Sequence, residues 1–216
     1  PGYMYTDTGY WDTFRALMPL INLVYPDEAG PMAEGLMNAY RESGFLPEWA
    51  SPGHRDCMVG NNSASVLADA FLKGLGRLEA KEVVAALLHG ANAEHPTIGS
   101  TGRKGYQYYN KLGYIPSDVG IKEHAARSLE YAYADWCIAE VLRRSGAPKS
   151  WRPSTAHAAR TIASSTTLPW GGCRDARPTA AGSSPSRSIS GAMPSPRATR
   201  CTTPGRSSTT SQGSCS

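Results

Sequence analysis

Apolar residues Phe14, Leu17, Met18, Ile21 and Val24 recur at spacings of three and four, which predicts a helix over residues 11–25 with one buried face. Pro19 falls inside that run and is expected to kink or restart it, because proline lacks the N–H that an interior turn needs. Pro26 and Asp27 open a second helix, with Ala33, Leu36, Met37 and Tyr40 on one face and Gly44 as its stop. Residues 45–62 have no periodicity and hold Pro47, Pro52, Gly53 and Gly60. This is a long loop, and loops of that length in compact domains usually carry function.

A third helix is capped near Asn62 or Ser63, with Val66, Leu67, Ala70, Phe71 and Leu75 facing inward. A fourth runs over about 78–89. A second irregular stretch at 94–105 leads to a short aromatic helix over 106–112, ended by Gly113. Ser117 and Asp118 are expected to cap the longest helix, which runs to Arg144 with Ile121, Ala125, Leu129, Ala132, Trp136 and Ala139 inward. Arg143 and Arg144 complement its C-terminal dipole, and Gly146 and Pro148 end it. No strand pattern appears. Residues 1–150 therefore read as all-α, five or six helices whose long loops suit helical hairpins in a ring or solenoid better than a short-looped bundle.

The character changes after Ser150. Residues 151–216 hold 24 Ser and Thr, eight Arg, no Lys and one acid, Asp175, so their net charge is +7 against −3 for residues 1–150. Their large apolar residues are Trp151, Ile162, Leu168, Trp170, Ile189 and Met193. Such a segment buries too little surface to offset its chain entropy and is expected to be disordered. The arginines are scattered rather than clustered, which argues against a nucleic-acid tail. No run of 18 apolar residues exists, so no membrane span is expected. The chain opens on Pro1 without a charged-then-apolar leader and reads as an interior piece of a longer protein. Five cysteines without regular spacing indicate neither a disulfide framework nor a zinc site, and Cys57 and Cys137 are expected to be buried thiols.

Carboxylates beside aromatics mark where chemistry could sit. Asp12 stands between Trp11 and Arg15; the long loop offers Glu48 and Trp49, then His54, Arg55 and Asp56; Glu94 and His95 open the second loop. Glycoside hydrolysis needs such carboxyl groups on opposite sides of the scissile bond. Each has a structural reading as well. Asp12 could accept backbone amides at a helix start, His54 could be a solvated loop residue, and Asp69 a buried partner. The Tyr106, Tyr108 and Tyr109 cluster could be packing. The residues by themselves indicate a helical domain with a polar pocket.

The run Gly9-Tyr10-Trp11-Asp12-Thr13-Phe14-Arg15-Ala16, preceded by Tyr5-Thr6-Asp7, resembles the opening of the catalytic domain of glycoside hydrolase family 92. So do Gly44-Phe45-Leu46-Pro47-Glu48-Trp49, Cys57-Met58-Val59-Gly60 and Ala68-Asp69-Ala70-Phe71-Leu72-Lys73-Gly74. Tyr108-Tyr109-Asn110-Lys111-Leu112-Gly113-Tyr114-Ile115-Pro116 and Leu129-Glu130-Tyr131-Ala132-Tyr133-Ala134-Asp135-Trp136-Cys137 continue in family order. The resemblance implies a calcium-dependent, inverting exo-α-mannosidase with an (α/α)6 barrel, of which residues 1–150 are the N-terminal part. It implies that Trp11, Asp12 and Arg15 belong to the mannose subsite and that Glu48, Trp49, His54 and Arg55 come from pocket-lining loops. It further implies a mannose-containing glycan, of the N-glycan type with terminal α-1,2 linkages, as substrate, and a periplasmic or secreted enzyme.

After Ser150 the resemblance stops. The family continues with Trp-Gly-Asp-Ala-Phe-Thr-Glu-Gly-Asn, whose Glu is the expected general acid, then with calcium ligands and a general-base Asp. None of these is in the chain. Permitted codons for residues 191–205, read one base earlier, nevertheless encode Trp-Gly-Asp-Ala-Phe-Thr-Glu-Gly-Asn-Ala-Leu-His-Tyr-Thr-Trp. The tail over 151–216 is therefore read as translation of a shifted frame, and Arg197 falls where the acid would be encoded. No catalytic residue and no calcium ligand is then expected in this chain. Two other readings stay open: a non-catalytic carbohydrate-binding helical domain, and a helical scaffold whose basic tail binds nucleic acid with steeply salt-dependent affinity.

Overall fold

A computed structural model describes residues 3–147; the tail expected over 151–216 lies outside the described residues. The chain order is β1 (Thr8–Gly9), α1 (Tyr10–Thr13), α2 (Leu17–Val24), α3 (Pro26–Ser43), β2 (Trp49–Ala50), α4 (Asn62–Leu72), α5 (Ala80–Asn92), α6 (Tyr106–Leu112) and α7 (His124–Arg144).

Local chemistry explains the boundaries. The expected first helix is two pieces, because the chain breaks over 14–16 and restarts at Leu17, which places Pro19 in the first turn where its missing N–H is harmless. α3 begins on Pro26 with Asp27 and Glu28 in its first turn, and Gly44 ends it in the left-handed conformation with φ 82°. α7 starts at His124 rather than after Asp118, so residues 117–123 are turns.

α4 is the hub. Eight of its eleven residues are buried, and it packs against α1, α2, α3, α5 and α7. A helix buried nearly all round belongs in the middle of a domain. α2, α4 and α7 form one row with α4 central; α3 and α5 form a second row, α3 against α2 and α4, α5 against α4 and α7. Alternating rows in chain order are an arc of a helical barrel. The architecture is all-α and the barrel is partial.

The core joins Leu36 and Met37 of α3, Leu67 of α4, Val83 and Leu87 of α5, and Ile138 and Val141 of α7. The inward face of α7 is only partly the one its apolar spacing predicts, with Ala132 buried as expected and Ala125 and Ala139 half-buried. Arg127, Tyr131, Asp135, Ile138 and Val141 are buried, whereas Leu129 and Trp136 (47 % exposed) face out. Leu17, Leu20, Leu23 and Val24 of α2 are exposed too. On the face that α3 and α5 do not cover, a groove of about 310 Å³ opens between Phe14, Met18, Asn22, Asp69, Tyr133 and Trp136. Burial in this region pushes the Cys137 thiol up to about 12, which keeps it an inert, protonated side chain. Cys57, expected to be buried, is exposed.

Candidate functional site

The long loop is tied to the start of the chain by a pairing too short to leave a periodic signal. β1 and β2 run antiparallel with Thr8 opposite Ala50 and Gly9 opposite Trp49, and the Tyr10 N–H continues the ladder to the Glu48 carbonyl at 3.0 Å. The Trp11–Asp12 turn therefore sits beside the loop residues that follow Pro47. Glycine at position 9 eases this close approach: a Cβ there would stand 3.2 Å from both the Trp49 ring and the Met58 methyl, so one of them would have to shift by a few tenths of an ångström. Met58 adopts φ 88°, a strained conformation for a side chain of its size. Arg55 donates its backbone N–H to the Trp49 carbonyl (3.0 Å) and places its guanidinium 5.9 Å from the Trp49 ring centre, within cation–π range. The Trp49 indole N–H is buried without a partner among the described residues.

Trp11 and Arg15 are held from across the fold. The Trp11 indole N–H (3.2 Å) and the Arg15 guanidinium (2.7 Å) both donate to Oε1 of Glu130 on α7. Asp12, between them on the same turn, is exposed, and no described hydrogen bond reaches its carboxylate. It does not cap α1, whose N-terminus has no side-chain cap. An aromatic, a free carboxylate and a guanidinium thus share one surface turn, with Trp49 and Arg55 alongside.

Glu48 lies beneath. It is fully buried, and its two oxygens accept from the Asn62 N–H (2.7 Å), the Ser63 N–H (3.3 Å), the Ser63 hydroxyl (2.6 Å) and the Asn61 side-chain amide (3.2 Å). The Asn62 and Ser63 N–H groups are orphan backbone donors of the first turn of α4, so Glu48 caps that helix from a distance, and two side-chain donors complete its shell. Burial pushes its carboxyl up to about 7 against the four donors. His54 points elsewhere: Nε2 meets the Ser43 hydroxyl at 2.7 Å, at the end of α3, and the ring centre is 5.6 Å from that of His95. Burial and His95 lower its proton affinity. The β pairing sets Trp49, with Arg55 on its ring, beside Gly9 just before α1, whereas Glu48 lies in the core and His54 toward α3.

The family description "Glycosyl hydrolase family 92 catalytic domain" matches residues 1–160. The chain belongs to glycosyl hydrolase family 92. An inverting mannosidase of the same family from Bacteroides thetaiotaomicron VPI-5482 is 49 % identical, with a TM-score of 0.65 over 74 % of this chain and 20 % of that one. An α-mannosidase of the family from the same organism, solved with and without mannoimidazole, is 29 % identical, with a TM-score of 0.64 over 73 % of this chain and 20 % of that one. This chain therefore spans about a fifth of the length of those structures. No curated protein matches it.

Among the described residues no group of three or more His, Cys, Asp or Glu could hold a metal ion. None of the described helices is long and apolar enough to cross a membrane.

Two parts of the site were not assigned from sequence. Glu130 stands in a family motif, but its pairing with Trp11 and Arg15 spans 119 and 115 residues and has no local signature. Gly60 is the other. It has φ 104°, and a Cβ there would stand 2.6 Å from the Asn62 side-chain nitrogen and 3.0 Å from the Glu130 Cβ. Gly60→Ala should cost about 1–3 kcal/mol in urea unfolding, through backbone strain and displacement of Glu130. A loss within error of zero contradicts this packing.

Proposed function

We propose that the chain is the sugar-binding opening of an inverting exo-α-mannosidase catalytic domain, acting on terminal α-linked mannose, α-1,2 in the first instance, of N-glycan-type oligosaccharides. The observation that carries the reading is the Asp12 carboxylate, free in solvent beside Trp11, which Glu130 holds in place. A carboxylate next to an aromatic ring suits a sugar, whose hydroxyls donate to the one and whose C–H face lies on the other. The turn belongs to a segment 49 % identical to an inverting mannosidase, and a second relative was solved with mannoimidazole bound.

Inversion needs one carboxylic acid to protonate the leaving oxygen and a carboxylate base to activate water on the opposite face. In this reading neither is in the chain, and the calcium ligands implied by the resemblance are likewise downstream residues that it lacks. Residues 151–216 are translation of a shifted frame, with Arg197 where the acid is encoded. The coding DNA tests this: codons for residues 191–205 that give no Trp-Gly-Asp-Ala-Phe-Thr-Glu one base earlier sink it.

The reading predicts a turnover-deficient chain. Incubated with α-1,2-mannobiose and calcium, it should release no more mannose than buffer does. Calcium-dependent release by the purified chain contradicts the assignment of acid and base to missing segments.

A further inference from the structure

α1 ends at Thr13 and α2 begins at Leu17, so Arg15 lies within the break between the two helices and Trp11 in the short helix before it. A helix of four residues has no stability of its own, because nucleation is unfavourable and its terminal backbone groups go unpaired. Its orientation must come from outside. α7 supplies it at both ends. The indole of Trp11 and the guanidinium of Arg15 converge on Oε1 of Glu130, and charge-assisted bonds of this kind are the stronger class. Arg15 also lies over the Phe14 ring at 4.7 Å, and Phe14 packs on Tyr133 of α7 with ring centres 5.5 Å apart. Glu130 is itself fixed, with its side chain 15 % exposed and Gly60 against its Cβ. Of the other polar side chains of this turn, Thr13 donates its hydroxyl to the Gly9 carbonyl (2.9 Å), and Asp12 has no described bond to α7.

The geometry points to Glu130 as the positioning residue of the Trp11–Asp12 turn: it sets, through Trp11 and Arg15, how the ring and the Asp12 carboxylate together face a sugar. It touches no ligand itself. The inference rests on the sugar-binding reading above.

The test uses the full chain with ¹⁵N-labelled tryptophan, the Trp11 indole signal being assigned by its absence in Trp11→Phe. Glu130→Ala should shift that signal, speed its exchange with water, and weaken binding of methyl α-mannopyranoside about tenfold. A purely structural role moves the melting temperature in step with affinity; a positioning role lowers affinity beyond any change in melting. Glu130→Gln keeps a carbonyl acceptor for Trp11 and should bind within about threefold of the wild type. Wild-type affinity in Glu130→Ala, where Trp11→Ala binds nothing, overturns the positioning role alone. A wild-type chain that binds no mannoside overturns the sugar reading, and the proposal with it. If Glu130→Ala does not fold, the Gln variant decides, and lost affinity with the Trp11 signal in place contradicts the proposal.

Discussion

Asp135→Ala should remove about 3–5 kcal/mol of folding stability, the range for breaking a buried ion pair by deleting one partner. The Arg103 side chain is 1 % exposed and donates Nη1–H to Asp135 Oδ1 at 2.6 Å and Nε–H to the Asn61 side chain at 3.1 Å. Its guanidinium lies 5.8 and 5.1 Å from the rings of Tyr109 and Tyr131, and Nη2 has no described partner. Deleting Asp135 strands a full charge in the core with one neutral acceptor. Arg103 also anchors the loop between α5 and α6, where its N–H meets the Ala93 carbonyl at 2.8 Å. Urea unfolding followed by far-UV circular dichroism measures the loss, and Asp135→Asn, which keeps an acceptor, should recover part of it. The exposed pair Arg41–Glu82 is the control, expected below about 1 kcal/mol. An Asp135→Ala loss as small as the control refutes the buried-pair account.

The second large effect is on pH dependence. Glu48, usually titrating at 4.5, is pushed up to about 7 by burial. Between those values the folded chain keeps a proton that the unfolded chain has released, so stability falls as pH rises from 4.5 to 7. The fall from this group is at most about 3 kcal/mol. His54 acts in the opposite sense, because its lowered proton affinity makes the folded state gain stability as pH rises toward its usual 6.5. The difference between wild type and Glu48→Gln isolates the carboxyl: the Gln variant should lose the downward slope. Identical profiles for the two proteins contradict it. Glu48→Ala should be worse at every pH, since it leaves the first turn of α4 without acceptors for Asn62 and Ser63.

Where a backbone rule and an apolar stripe agree, the sequence is enough to place an element. Pro26 and Gly44 bracket α3, Gly113 ends α6, and the run from Asn62 makes α4. The stripe misleads in α7. Its inward face carries charge, Arg127 and Asp135, while Leu129 and Trp136 turn toward a face that no described helix covers. Patterning assumes that apolar means covered within the same chain, and here that assumption breaks. β1 and β2 are invisible for another reason: two-residue strands rest on backbone bonds that any side chain permits. The family motif made Trp11, Asp12 and Arg15 legible as a group. The resemblance also expects Trp49 and Arg55 on pocket-lining loops, but the β pairing beside Gly9 and the tertiary bonds of Glu130 have no local signature. Glu48 reads like a loop residue of a pocket, and only its four donors place it in the core.

On the proposed function the Trp11–Asp12 turn binds mannose in a chain that cannot cleave it, and calorimetric titration of the full chain with methyl α-mannopyranoside, against methyl α-glucopyranoside, is the deciding experiment. The expected result is saturable heat for the mannoside, weaker or absent for the glucoside, and lost in Asp12→Ala at an unchanged melting temperature. No heat from the folded wild-type chain, or Asp12→Ala binding as the wild type does, contradicts it.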